Sequence, residues 1–182
     1  MGAKVFWIAG SWRGRLGIVP RPRGADWLDD ETRAWREAGI DVVVSLLEPD
    51  EAAELALTGE SISSAASGLE FRTFPIPDRS IPSSREDVME LAQHIVDALR
   101  AGKSVALHCR QGIGRSALIA AAALIAGGES AATAIESIRR ARGLEVPETA
   151  AQRQWISDFS SWLADKRAAE LRHASDGARR RR

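Results

Sequence analysis

A single cysteine stands among the 182 residues of the chain, and its neighbours give it a chemical task. The run Val105-Ala106-Leu107-His108-Cys109-Arg110-Gln111-Gly112-Ile113-Gly114-Arg115-Ser116 passes from an apolar stretch through the cysteine into a glycine-bearing loop. It then reaches an arginine that opens an apolar helical pattern. A loop folded between a strand end and a helix N-terminus aims several backbone N–H groups at one point. With the helix dipole behind it, that concavity favours a dianionic phosphate. Arg110, Gln111, Gly112, Ile113 and Gly114 are therefore candidate phosphate-binding positions, and Gly112 and Gly114 are expected to take up positive φ. The same field favours the thiolate form of Cys109, which is the nucleophilic form. Arg115, six residues further on, carries a planar fork that can bind two phosphate oxygens. Ser116 can donate its hydroxyl to the sulfur and help it leave. His108 reads as a support that hydrogen-bonds the loop and sets the surroundings of the sulfur. The chemistry this pattern suits is phosphomonoester hydrolysis with Cys109 as nucleophile.

Transfer of phosphate to a thiolate releases an alkoxide or phenoxide, which needs a proton. Asp78, 31 residues before Cys109 and between Pro77 and Pro82, is the candidate general acid. An aspartate in such a place also caps turns, which is its alternative role. Asp87 is the rival acid, but it lies within a helical pattern as a first-turn charge.

These groups need a frame. Val5 to Ala9 reads as a strand, and Gly10 to Gly24, rich in glycine, proline and arginine, as a loop. Asp29 to Ala38 reads as a helix stopped by Gly39. Val42 to Leu47 is a continuous apolar run suited to a strand buried on both faces. Pro49 to Leu57 reads as a short helix, Gly59 to Gly68 as a Ser/Ala-rich loop, and Phe71 to Ile76 as a strand. A helix capped by Ser83 or Ser84 runs to Arg100. Ser104 to Leu107 is the strand that delivers His108 and Cys109. Helices follow over Arg115 to Ala126, Ser130 to Arg140, and Glu148 to about Arg172. Strands alternating with helices imply a single α/β domain with a central, mainly parallel sheet flanked by helices. Residues 1–170 form that domain. Residues 171–182, ending in Arg179 to Arg182, read as a basic, disordered tail.

His108-Cys109-Arg110-Gln111-Gly112-Ile113-Gly114-Arg115-Ser116 resembles the signature loop of the protein tyrosine phosphatase superfamily. The likeness is closest to its dual-specificity-like branch, small bacterial members included. Phe74-Pro75-Ile76-Pro77-Asp78-Arg79-Ser80-Ile81-Pro82 is similar to that branch's general-acid loop. Gly143-Leu144-Glu145-Val146-Pro147-Glu148-Thr149, with Gln152 and Trp155, resembles the segment that brings a glutamine toward the site. The resemblance covers Val5 to Trp162. It implies a cysteine phosphatase fold without metal or cofactor, and a Gln152 that positions the water for hydrolysis of a phosphocysteine. Gln154 is the alternative if the register differs. Ala117 departs from the pattern, since the family loop usually continues with glycine.

Composition sets the remaining limits. Apolar residues make up 45% and charged residues 27% of the chain, and the formal net charge is zero. No global field draws such a protein to nucleic acid, so no nucleic-acid partner is expected. The longest apolar run, Ala117 to Ala126, is about half a membrane span. A lone thiol and no secretory leader suit a reducing cytoplasm. The expected substrate is a phosphoprotein, on phosphotyrosine and also phosphoserine or phosphothreonine. A phosphoinositide, an inositol phosphate or an RNA 5′-phosphate remains open as substrate of the same mechanism, and so does a non-catalytic phosphate-binding module. The sequence does not speak to oligomeric state.

Overall fold

Three valines and a serine, Val42–Ser45, are buried on every side, so this segment is interior to a sheet rather than at its edge. The computed structural model describes the backbone of residues 2–179 and the side chains of 2–173. Five strands make one sheet: β1 (Phe6–Ile8), β2 (Leu16–Ile18), β3 (Val42–Ser45), β4 (Glu70–Thr73) and β5 (Val105–His108). Their order across the sheet is β1-β2-β5-β3-β4. The β1–β2 pair is antiparallel, and the other three pairings are parallel. The sheet is thus mixed, with four parallel strands and one antiparallel edge.

Alternation along the strands sends side chains to two helical layers. Val42, Val44, Val105 and Leu107 join the larger core. That core is completed by α4 (Arg85–Arg100), α5 (Arg115–Ala126), α6 (Ala131–Arg142) and α7 (Ala150–Arg179). Val43 and Ala106 face the smaller core built around Trp35 of α1 (Leu28–Glu37). Two short helices, α2 (Pro49–Glu54) and α3 (Glu60–Ala66), follow β3. All twelve residues of α5 are buried, including its first residue, Arg115. Ser84 caps α4 by accepting the Asp87 N–H at 3.0 Å.

The structure corrects three of the sequence-based boundaries. The stretch expected to be a loop from Gly10 to Gly24 contains β2, whose Leu16 and Ile18 pair with Val105 and Leu107 of β5. Residues 59–68 are not a loop; they contain α3, whose Ser63 is tied to Thr32 and Asp29 of α1. The boundary placed between residues 170 and 171 is not an end of structure, because α7 continues through it to Arg179. Arg180 to Arg182 lie outside the described residues. No helix among the described residues is long and apolar enough to cross a membrane.

Candidate active site

In a parallel sheet, the loops leaving the C-terminal ends of neighbouring strands meet on one side, and ligands bind there. β3, β4 and β5 end in register, with Ser45 beside both Thr73 and His108. Their three outgoing segments carry α2, the Asp78 turn and the Cys109 loop. The Asp78 turn and the Cys109 loop, with Glu148 from the segment before α7, enclose a cavity of about 130 Å³ lined by Asp78, Arg79, Cys109, Arg110, Gln111, Ile113, Gly114, Arg115 and Glu148.

Cys109 lies at the floor, 3% exposed. Its Sγ accepts the N–H of Gly112 at 3.2 Å, so the loop closes over the sulfur. Gly112 has φ +67°, as expected. Gly114 does not: its φ is −88°, and it needs to be glycine for a different reason. A Cβ there would stand 2.9 Å from both Nε2 and Oε1 of Gln152 and 3.2 Å from Glu148. Gln152 is fully buried, with Oε1 accepting Thr149 N–H at 3.2 Å and Nε2 donating to Ser80 O at 3.0 Å. The start of α7 is thereby pressed against the loop through Gln152. Gln154 points the other way and bonds Asp158 on the exposed face.

Arg115 is 2% exposed and heavily engaged. Nη1 and Nη2 reach Glu51 Oε2 and Oε1 at 2.6 and 3.0 Å, Nη1 donates to Ile76 O at 2.9 Å, and Nη2 reaches Asp78 Oδ1 at 2.8 Å. Two carboxylates, Glu51 and Asp78, thus share the fork that the sequence suggested for phosphate oxygens. Burial alone would make this guanidinium less basic, but Glu51, Cys109 and Asp78 together raise it above its ordinary value. In return, the hydrogen bond from Arg115 holds the Glu51 carboxyl below its ordinary value against the opposing effect of burial.

The sequence reading missed Glu51. Pro49 starts α2, and Glu51 at the third helical position folds back to accept the Glu48 N–H at 3.1 Å. That capping position also aims the carboxylate at Arg115. Nothing in the local sequence links it to an arginine 64 residues away. Glu54, one turn on, pairs with Arg110 at 3.0 Å, which draws the Arg110 side chain toward α2.

Asp78 stands in a turn closed by Ser80 N–H to Pro77 O at 3.0 Å. The turn is fastened to the α6–α7 segment by Gln152 and by Arg79, whose Nε lies 3.6 Å from Glu148. Asp87, the rival acid, donates its N–H to the α4 cap Ser84 and lines a separate groove with Arg72 and His94. Ser116 is fully buried, and its Oγ makes no hydrogen bond among the described residues, so the expected bond to the sulfur is absent. His108 likewise makes no hydrogen bond to the loop; its ring faces Glu60. On the outer side of the loop, Arg142 stacks over Phe6 at 3.9 Å and reaches Gln111 O at 3.4 Å. Burial lowers the basicity of Arg142, while the Cys109 sulfur acts in the opposite sense. No group of three or more His, Cys, Asp or Glu among the described residues is placed to hold a metal ion.

A family model described as a DSP-PTPase phosphatase of polymorphic toxin systems matches residues 18–129, which is more than half of the chain. The chain belongs to this DSP-PTPase phosphatase family. It is thus a phosphatase of the dual-specificity and protein tyrosine phosphatase type. The match includes the Cys109 loop, α2 and the Asp78 turn. Among curated relatives, the cyclin-dependent kinase inhibitor 3 of Rattus norvegicus is 32% identical over 92 residues, covering 50% of this chain and 43% of that protein. The chain thus matches less than half of that relative's length. Tk-PTP in its active form is similar at 30% identity and a TM-score of 0.70, over 88% of this chain and 99% of that one. A kinase associated phosphatase with serine in place of its catalytic cysteine has a TM-score of 0.79 at 20% identity, over 90% of this chain and 97% of that one. PTPMT1 in complex with PI(5)P has a TM-score of 0.70 at 21% identity, over 85% and 94%. The last two likenesses speak to fold alone.

Proposed function

We propose that this DSP-PTPase phosphatase hydrolyses phosphomonoesters on proteins by two transfers through Cys109. The observation that carries the reading is that Cys109, Arg115 and Asp78 line one cavity of about 130 Å³, with Gln152 buried directly behind it against Gly114 and Ser80. In the first step the Cys109 thiolate attacks phosphorus and forms an S–P bond. The P–O bond to the substrate breaks, and the leaving oxygen takes a proton from Asp78. Loop N–H groups and Arg115 stabilise the equatorial oxygens as charge builds on them. In the second step water held by Gln152 attacks phosphorus and gives its proton to Asp78. The S–P bond breaks, with Ser116 turning its hydroxyl toward the departing sulfur. His108 supports the loop from beneath.

Two features bear on substrate class. The cavity is well below the roughly 300–1,000 Å³ of sites that engulf a drug-sized ligand, so it suits a phosphoryl group with little of what carries it. That favours dual specificity over a demand for an aromatic ring. In addition, Glu51 and Glu54 sit against Arg110 at the rim, which offsets the positive charge a polyphosphorylated headgroup would seek. A phosphoprotein therefore fits better than a phosphoinositide.

The test compares wild type with Cys109→Ser on phosphotyrosine peptide, phosphothreonine peptide and phosphoinositide. Turnover of both peptides, and its loss in the serine variant to below about a hundredth of wild type, is expected. A serine variant that keeps its activity would overturn the nucleophile, and activity on the phosphoinositide alone would overturn the substrate class.

A further inference from the structure

His108 is placed by the pleat of β5 where the reaction outlined above makes no direct use of it. Val105 and Leu107 face the α4–α5 layer, so Ala106 and His108 face the opposite layer of α1 and α3. The imidazole is fully buried there, with its centroid 5.8 Å from the Trp35 ring. Its Nε2 lies 2.8 Å from Oε1 of Glu60, the first residue of α3, and the two side chains are 0% and 3% exposed. The approach is bent away from ordinary hydrogen-bond angles. Neither ring nitrogen, nor Oε1, has a hydrogen-bond partner among the described residues. No lysine or arginine among them forms an ion pair with Glu60.

Two conclusions follow from this contact. First, Nε2 and Oε1 stand 2.8 Å apart with no other hydrogen-bond partner for either, so a small turn of the ring would bring an Nε2 proton onto the carboxylate. Second, burying such a pair costs more in desolvation than packing alone justifies; apolar residues of similar volume are commonly neutral or stabilising in its place. Leu47, Leu57 and Phe71 line the same pocket as Glu60, so an apolar side chain would have suited the neighbourhood. The carboxylate is spent on His108.

We infer that Glu60 is a positioning residue for the phosphatase reaction: it fixes the proton on Nε2 and the tilt of the His108 ring, and through His108 the seating of Cys109. The inference rests on the reading of Cys109 as nucleophile. The backbone of His108 is already held, since its carbonyl accepts the Leu46 N–H from the end of β3 at 3.0 Å. Glu60 supplies the second anchor, on the side chain. Cys109 is joined directly to His108, so a ring free to turn and change its proton would move both the sulfur and the field around it.

The experiment compares wild type with Glu60→Gln and Glu60→Leu. Glutamine keeps an acceptor oxygen; leucine keeps the volume and removes the acceptor. Three measurements are made at one pH: the imidazole ¹⁵N resonances of His108, the rate of Cys109 alkylation by iodoacetamide, and kcat and KM on a phosphotyrosine peptide. In the leucine variant the His108 nitrogens should show a changed protonation pattern. Alkylation and kcat should each fall about tenfold, the scale of a small misplacement, with KM within twofold. Glutamine should restore at least half of the alkylation rate. Wild-type ¹⁵N resonances or a wild-type alkylation rate in the leucine variant would overturn the inference. If that variant does not fold, Glu60→Asp, which withdraws the carboxylate by one methylene, is read by the same criteria. The imidazole resonances need no turnover, so failure here is distinct from failure of Cys109→Ser to abolish activity.

Discussion

Asp78 and Arg115 are joined at 2.8 Å across the mouth of the cavity that is proposed to receive phosphate. Only Oδ1 is engaged, and the carboxyl is half exposed. On the proposed mechanism, a phosphate that takes the Nη2 donor from Asp78 also releases this carboxyl to serve the leaving group. Substrate binding and availability of the proton donor become one event.

Asp78→Asn should separate these two roles. As general acid, Asp78 is worth about 10²- to 10⁴-fold on phosphotyrosine or an alkyl phosphate. The loss should be smaller on p-nitrophenyl phosphate, whose phenol departs readily without a proton, and the basic limb of the pH–rate profile should flatten. As competitor for Arg115, the carboxylate is half exposed, so its removal should tighten inhibition by inorganic phosphate by no more than about fivefold. Equal losses on both substrates with an intact basic limb would assign Asp78 to the turn alone.

Arg115→Lys should lower kcat/KM by at least about a hundredfold, roughly 2.7 kcal/mol, despite the conserved charge. The reason is specific to this site. Arg115 reaches Glu51 with two nitrogens, Ile76 O with one of them and Asp78 with the other. One ammonium cannot serve Glu51, Ile76 O and a phosphate together. Steady-state kinetics on a phosphopeptide check this, and near-normal values would contradict it.

Glu51→Gln carries a pH signature. Arg115 holds the folded carboxyl below its ordinary value of 4.5. A depressed folded value means that the group adds stability above the unfolded value and loses it as pH falls through the folded one. At neutral pH the variant should be less stable by about 3 kcal/mol, the low end for breaking a buried pair, because Asp78 and Ile76 O still receive the guanidinium. Thermal melts should show the two proteins separated by a constant gap above pH 4.5 and converging as pH falls below it toward the lowered folded value. Parallel curves would remove the ionic contribution.

The two loop glycines should fail differently. Gly112→Ala forces a side chain into positive φ and to 3.0 Å from Ile18 Cγ2, so it should lose about 1–2 kcal/mol in a denaturant melt. Gly114→Ala meets no such backbone strain; its Cβ displaces Gln152 instead. The second transfer should then slow more than the first, seen as a larger pre-steady-state burst of released phenol followed by a slower steady state. An unchanged burst ratio would separate Gln152 from the hydrolytic step.

What the sequence made legible was whatever lay close together along the chain. Cys109 to Ser116 could be read because the loop, its strand and its helix are contiguous, and α5 ends where its apolar run does, at Ala126. β2 escaped because Leu16-Gly17-Ile18 is only three residues between arginines and glycines; it is a strand by virtue of lying beside β5. α3 escaped because a short stretch of serine and alanine has little helical pattern, and its order comes from hydrogen bonds to α1. Glu51, Glu54 and Glu60 escaped with them. Each is an ordinary surface-type residue in its own segment and acquires meaning only opposite Arg115, Arg110 or His108, 48 to 64 positions later.

The burial of every residue in α5 gives the cavity two kinds of wall. Ala120 to Ala123 are all at zero exposure, so the helix that begins with Arg115 has no slack in which to slide or tilt. The wall made by Cys109, Gly114 and Arg115 is an anvil. The opposite wall is the turn of Asp78 and Arg79, both more than half exposed, and Glu54 of the six-residue α2 stands beside it against Arg110. New preferences for what lies beyond the phosphate are open to change on that second wall, through Glu54 and Arg79. The anvil tolerates almost no revision without spoiling the reaction itself.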